Sequence, residues 1–170
     1  DGRRVREETP QERAAAVLAD LARVGENKVA IVLSGGVKPL VMMLSSDSPE
    51  AQTHAVGCLQ AIAAVGSNKG PIAEAGAIPP LVALLKDGPD KAQELAAGAL
   101  WHLAAVGDNK QTMVNAGAIP PLVAELSSQS DMAREYAAGV LSALARTQGG
   151  NKKAIVAAGG IEPLIALLSE

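Results

Sequence analysis

One phrase written four times constrains this chain more than any other feature of its 170 residues. GGVKPLVMMLSS begins at Gly35, GAIPPLVALLKD at Gly76, GAIPPLVAELSS at Gly117 and GGIEPLIALLSE at Gly159. Asn27-Lys28, Asn68-Lys69, Asn109-Lys110 and Asn151-Lys152 keep the same step, as do Pro39, Pro80, Pro121 and Pro163. The spacing is 41, 41 and then 42 residues, the extra one falling in the stretch TQGG before Asn151. A period of this length belongs to helical solenoids, in which each unit buries its apolar face only against its neighbours.

Composition agrees. The chain is 48% hydrophobic yet has no Phe and a single Trp and Tyr. Ala, Leu, Val and Gly must therefore do the packing, which favours closely approaching helices over a sheet sandwich. A net charge of -3 argues against a phosphate-driven nucleic-acid surface, while a local basic patch remains compatible with it. One cysteine excludes an intramolecular disulfide framework and fits a reducing compartment. No apolar run is long enough to span a bilayer, and the opening DGRRVREETP lacks the apolar core of a signal peptide. The expectation is a cytoplasmic or nuclear protein with no membrane insertion and no nucleic-acid partner.

Local signals divide each copy into three helices. Asn after a Gly-containing turn (VGEN, VGSN, VGDN, QGGN) is expected to N-cap a first helix. A Gly then permits a left-handed turn, and proline sits where the first turn of a second helix has no N–H partner to lose. The longest helix follows, roughly over residues 10–24, 49–65, 89–106 and 130–147. This gives a polar lead-in over residues 1–9 and an array over 10–170 whose last copy lacks its third helix.

AGAIPPLVALL with AQELAAGALWHLAA after it, and in the next copy DNKQTMVN followed by AGAIPPLVAEL, resemble the armadillo repeat, and the likeness covers almost everything from Pro10 onward. The phrasing is most similar to the arrays of plant and protist scaffold proteins, those attached to U-box domains and the vacuolar protein 8 type among them. The resemblance implies an all-α, right-handed solenoid of about four repeats whose third helices line a concave groove for extended partner segments. No U-box is visible, so ligase chemistry would have to lie elsewhere in a longer chain. In armadillo proteins such as importin alpha, Asn recurs at the column held here by Asp20, Ala61, His102 and Ala143. A Trp recurs there at the column of Ala16, Gly57, Gly98 and Gly139. Neither array is present, which disfavours a basic nuclear-import signal as ligand. The mixed charges of the variable columns likewise give little support to a basic groove of the beta-catenin kind.

Stacking the four copies separates two faces of the third helix. Nearly constant columns (Ala14, Ala55, Ala96, Ala137; Leu18, Leu59, Leu100, Leu141; Leu21, Ile62, Leu103, Leu144; Ala22, Ala63, Ala104, Ala145) form one stripe, expected to meet neighbouring helices. Cys58 shares a column with Val17, Ala99 and Val140 and is expected to be a small buried hydrophobe. Freely varying columns (Arg13, His54, Leu95, Tyr136; Ala19, Gln60, Trp101, Ser142; Asp20, Ala61, His102, Ala143; Arg23, Ala64, Ala105, Arg146) form a second stripe. No close-packed interior would tolerate such swaps of volume and charge.

The candidate partner-binding set is therefore His54, Gln60, Leu95, Gly98, Trp101, His102, Tyr136 and Arg146. The small column Ala16, Gly57, Gly98 and Gly139 would leave room for a ligand backbone, and Arg13, Arg23 and Arg146 would supply charge towards the ends. The alternative for Trp101 is that its ring folds back to fill a packing gap. With helices roughly 8–10 Å apart and about 3.3 Å per extended residue, the four third helices would cradle about ten residues.

No paired carboxylates, metal-ligand spacing or phosphate loop accompanies His54 and His102, so neither catalysis nor a cofactor is expected. The rival reading is a scaffold segment that self-associates through uncapped ends, because repeat arrays normally finish in polar caps. Glu125, standing where the sister copies have Met43, Leu84 and Leu167, is expected to reach solvent at a helix rim.

Overall fold

The computed structural model describes residues 8–147 and 149–169, and among them every regular element is helical. Twelve α-helices follow one another: α1 Pro10–Leu21, α2 Gly25–Leu33, α3 Val37–Met43, α4 Pro49–Ala63, α5 Lys69–Glu74, α6 Ile78–Asp87, α7 Asp90–Leu103, α8 Gly107–Asn115, α9 Ile119–Glu125, α10 Asp131–Ala145, α11 Asn151–Ala157 and α12 Ile161–Leu167. A single 3-10 turn, Gly66–Asn68, leads into α5. Most of the lead-in expected over residues 1–9 lies outside the described residues.

Of the third helices α1, α4, α7 and α10, all but α7, which begins after Pro89 with no side-chain cap, start where side chains replace missing backbone partners. Thr9 accepts from the Glu12 amide while Glu12 accepts from the Thr9 amide, a reciprocal cap, and Ser48 and Ser130 accept from the amides of Ala51 and Ala133. These helices end two to three residues earlier than the sequence pattern suggests. Val24, Val65 and Val106 are already extended, with ψ of 128°, 125° and 128°. The turn between the first and second helix of each copy is the expected left-handed glycine, with φ between 77° and 81° at Gly35, Gly76, Gly117 and Gly159.

The recurring Asn does not cap the first helix with its side chain. Instead its carboxamide reaches back to the end of the preceding third helix: Asn27 Nδ2 donates to the Leu21 carbonyl at 3.0 Å, Asn68 to Ile62 at 3.0 Å, Asn109 to Leu103 at 2.9 Å and Asn151 to Leu144 at 3.2 Å. Because the extended valine lets the first helix start at Gly25 or Gly107, Asn already lies inside it and faces last-turn carbonyls that already accept from the backbone N–H three residues on, so its carboxamide is a further donor to each. Asn68 also donates to the Lys28 carbonyl at 3.1 Å, tying one copy to the next.

Third helix packs on third helix, α1 on α4, α4 on α7 and α7 on α10, with α3, α6 and α9 behind them. The constant stripe forms this layer: Ala55, Leu59, Ile62, Ala96, Leu100, Leu103, Ala137 and Leu144 are fully buried, and Cys58 is sealed among them. Each such Leu or Ile contributes roughly 1.5–3 kcal/mol. Burial pushes the Cys58 thiol up to about 11. In the first copy this layer is only partly covered: Ala22 is buried, but Leu21 and, in the Cys58 column, Val17 are 46% and 57% exposed because among the described residues no helix packs on their outer side.

Glu125 does not reach solvent. It is nine-tenths buried at the end of α9, in the wall of a hollow of about 1030 Å³ between α6–α7 and α9–α10. Burial, then the nearby Asp90 carboxylate, raises its carboxyl, and a hydrogen bond with Ser128 offsets part of this.

Candidate partner-binding surface on the third-helix stack

The variable stripe lies on the open side of the stack, and α7 and α10 position its centre. Trp101 projects from the C-terminal half of α7 and remains 41% exposed, although it carries the largest apolar ring in the chain. Its indole lies 5.2 Å from the His102 ring and 5.5 Å from the Tyr136 ring, centroid to centroid, both tilted. These separations suit favourable aromatic contact, so three rings from two adjacent copies form one patch.

The small column supports the patch and is not empty. A Cβ at Gly139 would stand 2.6 Å from Trp101 Nε1, and one at Gly98 would stand 2.3 Å from Gln60 Nε2 and 2.9 Å from Tyr136 Cε2. Leu95 covers Gly57 at 3.6 Å from the equivalent point. The room expected for a ligand backbone is thus filled from within: Gly98 is buried, and Gln60, Tyr136, Leu95 and Trp101 lie over the glycine column. One face of the Trp101 ring lies on the neighbouring helix, and the rest faces outward.

The other predicted residues are placed less centrally. Arg146 is exposed just beyond α10, beside the ring patch. His54 is half-exposed on α4 and takes no part in the ring contacts among the described residues. Arg13 and Arg23 lie at the α1 end in exposed ion pairs with Glu8 and Asp20.

Sequence reasoning missed two lysines. Lys69 and Lys110, together with Trp101, His102, Ala105, Gly139, Ser142, Ala143 and Arg146, surround a hollow of about 540 Å³ between the C-terminal halves of α7 and α10. The Asn-Lys step that marks the repeat placed them there, but it had been read only for its asparagine. His102 registers the surroundings: burial first, then the charges of Lys69 and Lys28, hold its imidazole below the usual histidine range. No group of His, Cys, Asp and Glu among the described residues could hold a metal ion. No helix there is long and apolar enough to cross a membrane.

Comparisons with known proteins agree with this geometry. No curated protein matches the chain. Among solved structures, a computationally designed armadillo repeat protein for modular peptide recognition is 30% identical, with a TM-score of 0.83 over 94% of this chain and 68% of that one. An engineered protein is 35% identical, with a TM-score of 0.82 over 94% of this chain and 66% of that one. A designed armadillo repeat protein in complex with the peptide (KR)4 is 27% identical, with a TM-score of 0.77 over 94% and 66%. The model for the ARM repeat region of plant U-box proteins matches residues 6–169. With its left-handed glycine turns, its asparagine ties and its stacked third helices, the chain belongs to the armadillo-repeat family represented by that region.

Proposed function

We propose that the chain is a non-catalytic protein-interaction module of an intracellular protein, binding an extended segment of a partner along the concave side of its third helices. The observation that carries this reading is Trp101, held 41% exposed in a ring patch with His102 and Tyr136. A chain with almost no aromatic residues places its largest one in the open, where such rings serve as anchors. The computationally designed armadillo repeat protein for modular peptide recognition and the designed one in complex with a peptide support the same use of the fold.

Selection of displayed random 12-residue peptides on the array, followed by titration of those enriched, tests the reading. Replacing Trp101, Leu95 and Tyr136 together by Ala should weaken selected peptides at least a hundredfold, with the array still helical and cooperatively unfolding. Equal binding by that variant removes the groove as the working surface.

A second reading rests on the apolar side chains exposed at the two ends, Leu33 (82%) on α2 and Ile165 and Leu168 (58% and 87%) at α12. It has copies associating end to end. Light scattering over a concentration series checks it, and a monomer throughout ends it.

A further inference from the structure

We propose that the segment taken up by this groove is acidic, an extended stretch carrying Asp or Glu carboxylates around an aliphatic anchor that rests on Trp101. The inference builds on the groove reading above and adds the partner's chemistry. The chain is net negative, at -3, yet the walls of the 540 Å³ hollow contain Lys69, Lys110 and Arg146 and no carboxylate. Among the described residues no ion pair involves these three cations or Lys28, Lys38, Lys152 and Lys153, whereas Arg13, Arg23, Lys86, Lys91 and Arg134 are paired. What sets Lys69, Lys110 and Arg146 apart is that they converge, without a carboxylate between them, on the hollow where the only indole is exposed.

The positive field reaches the His102 side of the patch. Lys69 and Lys28 act on the His102 imidazole, and Lys110 and Arg146 share its hollow, whereas the Tyr136 side of the patch feels the Glu135 and Glu94 carboxylates, with Lys91 opposing them. A basic segment would meet repulsion there and an acidic one attraction.

Arrangement distinguishes carboxylates from a phosphate. Lys69 and Lys110 open the first helices of successive copies, so their charges are spread along the groove by about one repeat, roughly 8–10 Å. Point charges so separated suit single carboxylates along a strand; a dianion is held by donors converging on one point. Trp101, Ala105 and Ala143 supply the apolar part of the wall between them.

The test uses ten-residue peptides with Leu at alternate positions and Glu, Gln, Lys or phosphoserine between, titrated against the array with Trp101 emission as readout. The Glu peptide should bind at least tenfold more tightly than the Gln peptide, with the Lys peptide weakest. Lys69→Glu with Lys110→Glu should cost the Glu peptide tenfold or more, and the Gln pair of substitutions an intermediate amount with helicity unchanged. Raising salt should weaken the Glu peptide. On binding it, the His102 imidazole, followed by NMR, should titrate at higher pH.

Equal or tighter binding of the Gln or Lys peptide overturns the acidic preference and leaves the groove reading in place. Tighter binding of the phosphoserine peptide than of the Glu peptide overturns the carboxylate assignment. If none of the four binds while peptides selected from the random library do, the acidic inference fails alone; if the selected peptides fail as well, both readings fall.

Discussion

Asn68 is 2% exposed and gives both amide protons away, one to Ile62 and one to Lys28 in the copy before. Asn68→Ala leaves two carbonyls without these donors, one of them in the core, and should cost about 1–3 kcal/mol in urea unfolding. Asn27→Ala, whose single bond is exposed, should cost less than about 1 kcal/mol in the same assay. The asparagine column was legible from the repeat, but its role was not. Capping preference is a local rule, and these bonds reach six or seven residues back to a carbonyl that only the fold brings near. The glycine column misled for a similar reason, since smallness in sequence reads as space although neighbouring copies fill it. Gly139→Ala should displace the Trp101 indole and shift its emission maximum, because the new methyl would collide with Nε1. The depressed His102 sets a pH dependence. The unfolded chain binds its proton first, so stability is intact above the ordinary histidine pKa and falls on acidification until the folded-state value is passed. Denaturant midpoints measured from pH 8 to pH 5 should decline, and His102→Gln should flatten that decline.

Among the elements, α9 carries a visible break in the repeat's own rules. Glu125 stands where other copies have Met or Leu, and its raised carboxyl means that stability present at low pH is lost as pH rises through the folded-state value. Glu125→Leu should therefore raise the melting temperature at pH 7, by ~2–4 °C for each ~1 kcal/mol recovered in a chain of this size. The gain should shrink at pH 4, where both states hold the proton. Glu125 was expected at a rim because a lone carboxylate in an apolar column normally escapes to water; the hollow beside Asp90 and Glu94 that holds it involves residues about 30 positions away. The third helices were legible in type and order, and were overextended only into valines whose branched side chains suit the extended turn. In α4, Cys58 should resist thiol reagents until the array unfolds, since its thiol is both sealed and pushed up to about 11.

For the molecule as a whole, the 41-residue period was sufficient to identify the solenoid, because a stack of near-identical units has few ways to bury a constant stripe. Net charge concealed what the stack does with its cations. A total of -3 says nothing about three of them sharing one hollow, and the lysine column was visible only as punctuation. Stability should be graded along the axis. Hydrogen exchange should be slowest in α4 and α7, each covered on both sides by a third helix, and fastest in α1 and α12, which carry exposed apolar side chains. The asparagine ties also bear on how such an array can change length. Asn151 keeps its hold on Leu144 although its turn is one residue longer than the others, and Thr147 Oγ1 adds a second acceptor at 2.7 Å. A joint closed by a side chain has slack that a backbone ladder lacks, so this turn is where a residue can be gained without throwing later copies out of step.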